Sequence, residues 1–90
     1  MDRSIITVTG RNRVGIIAKI TTLLAQHNVS IMDITQTIRQ GIFNMMMIVD
    51  TSESDIVFDE LRSALGALAD EMGVHILCQK EEIFDKMHRV

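Results

Sequence analysis

Thr9-Gly10-Arg11-Asn12-Arg13-Val14-Gly15-Ile16-Ile17 is the stretch on which the fold turns. Upstream of it, Ser4-Ile5-Ile6-Thr7-Val8-Thr9 is rich in β-branched residues and reads as a strand. Ile6 and Val8 share one face of that strand, opposite Ile5, Thr7 and Thr9. Downstream, Ile16, Ile17, Ile20, Leu23 and Leu24 recur at helical spacing and predict a helix from about Val14 to His27. The stretch is therefore a strand-to-helix turn with a glycine at each end. Such a turn leaves backbone amides free at a helix N-terminus, a place suited to a small anion.

Beyond the helix, Val29 to Gln40 reads as a second strand, with Met32, Ile34, Gln36 and Ile38 on one face and Asp33, Thr35, Thr37 and Arg39 on the other. Gln40-Gly41 is a tight hairpin turn, and Ile42 to Asp50 is the third strand, with Phe43, Met45, Met47 and Val49 facing one way. Thr51 to Asp55 forms a loop rich in capping residues. A second helix from about Asp55 to Met72 follows, its stripe formed by Phe58, Leu61, Leu65, Leu68 and Met72. Gly73 is placed to cap it, Val74 to Gln79 is a fourth strand, and Glu81 to His88 reads as a short helical tail. The order β-α-β-β-α-β with right-handed crossovers gives an α+β, ferredoxin-like sandwich: a four-stranded antiparallel sheet with both helices on one face. The second and fourth strands lie at its edges. The long second strand is interrupted by charge only at Asp33 and Arg39, so a homodimer is expected to use it or the adjacent face of the first helix.

Composition narrows the function. Ninety residues make one domain, 1–90, with a core over 4–80 and a tail over 81–90. A chain of this size buries about 60–65% of its unfolded surface, so a homodimer or higher homo-oligomer is a natural supplement. No apolar run approaches the ~20 residues of a membrane span, and no signal-like segment opens the chain. One cysteine, Cys78, forms no internal disulfide, which together predicts a cytoplasmic protein. A net charge of −3 and three phenylalanines as the only aromatics offer neither a basic face nor stacking platforms for nucleic acid. His27, His75 and His88 lie on separate elements without metal-ligand spacing. Met45, Met46 and Met47 alternate across a strand and cannot converge on one ion. No metal or cofactor is expected.

The run Ile6-Thr7-Val8-Thr9-Gly10-Arg11-Asn12-Arg13-Val14-Gly15-Ile16-Ile17-Ala18 resembles the opening of an ACT domain, and Asn28-Val29-Ser30-Ile31-Met32-Asp33-Ile34 resembles the start of that family's second strand. The likeness spans about Ser4 to Lys80, and Glu82 to Arg89 is similar to the ends of small stand-alone members. The glycine-cleavage repressor and the N-terminal region of formyltetrahydrofolate deformylase are similar at a greater remove. The resemblance implies a regulatory module that binds an amino acid between two copies and is not an enzyme. In amino-acid-binding members, polar side chains at the positions of Gly10, Asn12 and Ser30 hold the ligand. Here only Asn12 keeps the family residue: Gly10 has no side chain, and Ser30 is shorter than the amide it replaces.

The candidate ligand-binding residues are therefore Gly10, Arg11, Asn12, Arg13, Val14 and Gly15, with Ser30, Ile31 and Asp33. Backbone amides of the turn would take a carboxylate, Asn12 would add a hydrogen bond, and Arg11 or Arg13 would supplement the charge. Asp33 would accept an ammonium group. The expected role is a regulatory module that senses an amino acid or similar small carboxylate and acts on another protein. Two alternatives stand beside it. One is an acylphosphatase-like enzyme, since those enzymes share the topology and use a glycine-containing loop after the first strand. Against it, Lys19 is the only base in the stretch after Ile16 where they carry arginine. The other is a structural interaction module that takes no ligand.

Overall fold

A computed structural model describes residues 2–82. The elements are β1 (Arg3–Arg11), α1 (Ile16–Gln26), β2 (Ser30–Arg39), β3 (Ile42–Asp50), α2 (Phe58–Met72) and β4 (His75–Lys80). They form one antiparallel sheet in the order β2-β3-β1-β4, so β2 and β4 are the edges, as the crossover argument requires. Glu81 and Glu82 continue as the first helical residues of the expected tail, and the rest of that segment lies outside the described residues.

One face of the sheet and one stripe of each helix make the core. Ile6, Val8, Phe43, Met45, Met47 and Val49 from the strands meet Ile16, Ile20 and Leu24 of α1 and Leu61, Leu65 and Met72 of α2. The strand members alternate and the helix members fall three or four apart, which is what amphipathic strands and helices need to share one interior. The hairpin between β2 and β3 turns on Gln40 (φ 52°) and Gly41 (φ 78°), both left-handed, as two-residue hairpin turns prefer.

Four departures from the sequence reading have physical causes. β1 runs two residues further than Thr9, because Gly10 and Arg11 still pair with Phe43 and Ile42 of β3. α1 starts at Ile16 rather than Val14, since Gly15 is left-handed (φ 90°) and stands as its N-cap. α2 starts at Phe58 rather than Asp55. The Asp55 carboxylate is drawn to His27 Nδ1 at 2.9 Å and its amide donates to the His27 carbonyl at 3.2 Å, so the residue ties the loop to the end of α1. α2 then has no side-chain cap and relies on Asp59 and Glu60 in its first turn. Finally, a bulge between Ile31 and Asp33 leaves Met32 without a register partner, so Ile31, not Met32, stands across from buried Val49.

Candidate ligand-binding site

The turn after β1 is held at both ends. The Asn12 amide donates to the Gly41 carbonyl at 2.9 Å, fastening the turn to the β2–β3 hairpin. At the other end the Lys19 amide donates to the Gly15 carbonyl at 2.9 Å, which closes the first turn of α1. No side chain caps α1 and no acidic residue lies in its first turn. The N–H groups of Ile16, Ile17 and Ala18 therefore have no intrahelical acceptor, and the positive end of the helix dipole is uncompensated. α2 differs, with Asp59 and Glu60 at the same positions. The two helices thus present electrostatically different N-termini, and only that of α1 is poised for an external anion.

The two glycines that flank the turn serve different ends. Gly15 is needed for its backbone angle, with nothing within 4 Å of the place its Cβ would occupy. Gly10 is needed for space. A Cβ there would stand 2.8 Å from Val74 Cγ1 and 3.0 Å from Val74 Cβ, so bare backbone lets β4 approach β1. Gly10 accordingly has a packing reason that the sequence alone did not disclose.

The remaining turn residues separate by direction. Val14 is wholly exposed at 103%. The Asn12 carboxamide has no hydrogen-bond partner among the described residues. Arg13 reaches away from the α1 N-terminus: its guanidinium lies 3.6 to 3.8 Å from where a Cβ on Gly73 would stand, at the C-terminal end of α2. A cation there meets the negative end of the helix dipole. Arg11 belongs to β1 and shares the sheet face of Thr7 and Thr9, the face without helices.

Ser30, Ile31 and Asp33 lie at the opposite end of the sheet from the turn. Ser30 pairs with Asp50 and so stands in the row of Arg3, whereas Arg39 pairs with Ile42 in the row of Arg11. The nine steps from Ser30 to Arg39 span about 30 Å of strand. One chain therefore does not bring the two halves of the candidate set together. At its own end, Asp33 Oδ1 accepts the Ile34 amide at 2.8 Å beside the bulge.

Sequence reasoning missed the apolar strip that joins these two halves. Every residue of β2 is exposed, on both faces. Ile31, Ile34 and Ile38 face the side that carries the helices, yet remain 39%, 44% and 58% exposed, and Ile17 of α1 is 36% exposed beside them. The alternating isoleucines read as core, but the buried stripes of α1 and α2 serve the other three strands and leave this edge uncovered.

Cys78 is not part of any site. It is 6% exposed, and burial pushes its thiol up to about 11. The thiolate is the reactive form, so folded protein should alkylate at neutral pH at least about a hundredfold more slowly than a free thiol of ordinary pKa near 8.5. The check is iodoacetamide labelling followed by mass spectrometry, with rapid labelling restored in denaturant. Rapid labelling of folded protein would mean that the strand opens. Among the described residues no cluster of three or more His, Cys, Asp or Glu side chains is placed to hold a metal ion, and no helix is long and apolar enough to cross a membrane.

Comparison with known proteins agrees with this architecture. The ACT domain profile matches residues 3–79. A UPF0237 protein of Bifidobacterium longum is 54% identical over 90 residues, all of both chains. An ACT domain protein from Streptococcus pneumoniae superposes with a TM-score of 0.80 at 33% identity, covering 93% of this chain and 94% of that one. A formyltetrahydrofolate deformylase from Pseudomonas syringae carries the same fold, with a TM-score of 0.82 at 24% identity, over 89% of this chain and 28% of its own. With an open helix terminus on one side of the β2 edge and an uncovered apolar strip along it, the chain belongs to the ACT domain family.

Proposed function

We propose that the protein is a homodimeric regulatory module that binds an amino acid, or a similar small carboxylate, between two copies and modulates a partner protein. The observation that carries this reading is the edge strand β2: ten residues, all exposed, with three isoleucines turned toward the layer where a core should be. An edge of that length and apolarity is a pairing template unless something covers it.

Two-fold pairing through β2 also resolves the separation of the candidate residues. An antiparallel β2–β2 pair reverses the second copy's strand. The second copy's Ser30 and Asp33 then lie alongside Ile38 and Arg39, the end of the strand where Asn12 and the α1 N-terminus stand. Each of two equivalent sites would take backbone donors and Asn12 from one copy and Ser30 and Asp33 from the other. A carboxylate would sit on the Ile16 to Ala18 amides and an ammonium group near Asp33. A ligand that bridges two copies favours the assembly that binds it best, which is a route from ligand concentration to a change felt by a partner.

The test is thermal unfolding against the proteinogenic amino acids and folates, with Asn12→Ala and Asp33→Ala alongside. The expected result is a saturable rise of several degrees in Tm for one ligand, lost in both variants, because ligand at 100 times its Kd adds about 2.7 kcal/mol. Indifference across the panel in all three proteins would leave a ligand-free interaction module. Turnover of an acyl phosphate, abolished by Arg13→Ala, would revive the enzymatic alternative.

A further inference from the structure

The face of the sheet that carries no helices is ordered in rows, each row taking one residue from neighbouring strands. Nearest the hairpin, Arg39 and Arg11 flank Ile42. The next row is Thr37, Asn44, Thr9 and His75, one polar side chain from each of the four strands. The row after it is Thr35, Met46, Thr7 and Leu77, with Met46 and Leu77 exposed by 41% and 51%. These two middle rows line a shallow cavity of ≈ 630 Å³, within the range of small-molecule pockets. One row further on, Ile5 is only 5% exposed and offers a ligand nothing.

The polar row is biased toward donation. Thr9 Oγ1 donates to Asn44 Oδ1 at 2.8 Å, which engages the amide oxygen and leaves the Asn44 N–H pair to point elsewhere. Two guanidinium groups stand one row, about 7 Å, beyond it. Among the described residues the nearest acidic side chain in this register is Asp33, two rows away from Thr37, with an oxygen already engaged by the Ile34 amide. Charge, donors and apolar floor therefore follow one another along a single line.

We propose that this face is a second binding site, separate from the β2 edge, and that it takes a free medium-chain carboxylate. The carboxylate head lies on the Asn44 row within reach of Arg11 and Arg39, and the aliphatic chain runs over Met46 and Leu77. Stacked nucleotide bases are a poor match, because none of the three phenylalanines lies in these rows. A bilayer surface is a poor match to a concavity of single-molecule size.

The experiment is a ¹H–¹⁵N NMR titration of the full chain with octanoate, with 1-octanol as the neutral control and anionic vesicles as a third arm. Saturable shifts confined to Thr9, Asn44, Met46, His75 and Leu77 are expected, with no saturation by octanol. Arg11→Gln combined with Arg39→Gln should weaken octanoate about tenfold, the loss of one charge-assisted contact. Both arginines are exposed, so the variant spectrum should remain that of folded protein. The proposal is overturned by equal binding of octanol and octanoate, by shifts centred on residues 12–18 or 30–34, by an unaffected double variant, by preference for vesicles, or by no saturable response.

Discussion

Replacing Gly10 by alanine should destabilise the domain by about 1–3 kcal/mol, the usual cost of forcing a methyl group into a packed contact. The methyl would meet Val74 Cγ1 at 2.8 Å, and behind that atom stand Val74 Cβ at 3.0 Å and the β4 backbone at 3.2 Å. A β-branched side chain has little freedom to swing away, so β4 itself must shift. For a domain of this size the change amounts to a fall in Tm of roughly 5–15 °C. Gly15→Ala is the informative comparison, because it meets no atom and costs only the strain of a left-handed residue, about 1–2 kcal/mol. Truncating Val74 separates the two mechanisms. Val74→Ala removes the closest contact, so the double variant with Gly10→Ala should be less destabilised than the two single losses summed. The rescue is partial, since Cβ and backbone still crowd the site. The same truncation should do nothing for Gly15→Ala. Additive losses for the Gly10 and Val74 pair, measured by urea unfolding, would remove the close approach as the reason for glycine at this position.

That contrast marks where the sequence was legible. Periodicity alone placed β3 at its observed bounds and found the core stripes of α1 and α2, because a residue's face follows from its place in the repeat. The hairpin at Gln40-Gly41 and the cap at Gly73 were legible because turn chemistry is local. What stayed hidden depends on partners distant in sequence. Gly10 looked like a turn glycine because nothing near it in the chain announces Val74. Asp55 looked like a helix cap because nothing near it announces His27. The isoleucines of β2 looked like core because alternation reports which residues share a face, not whether another layer covers that face. The candidate site was legible as a list of positions, and its open amide terminus followed from the turn. Its division between the two ends of a strand required the register, which no local pattern contains.

The largest effect on assembly is expected from Ile34→Lys. The residue is 44% exposed in the single chain, so a lysine there should cost the fold itself within about 0.5 kcal/mol. In the proposed dimer its situation is different. Ile34 lies near the middle of β2, and a two-fold antiparallel pair places its axis near that point. Each dimer then carries the substitution twice at close range. Two isoleucine contacts are lost, each worth about 1.5–3 kcal/mol when fully buried, and two like charges are brought together. Together these terms raise the dissociation constant by at least about a hundredfold. Sedimentation should show a monomer with an unchanged circular dichroism spectrum, and the Tm should lose its dependence on protein concentration. Met46→Lys on the helix-free face provides the control, since that side chain lies outside the edge and should leave the dimer intact. If Ile34→Lys remains dimeric while a lysine on the exposed face of α1 does not, the interface lies on the helix. The second copy's Ser30 and Asp33 then no longer reach the turn, and the composite site fails with the strand pairing that created it.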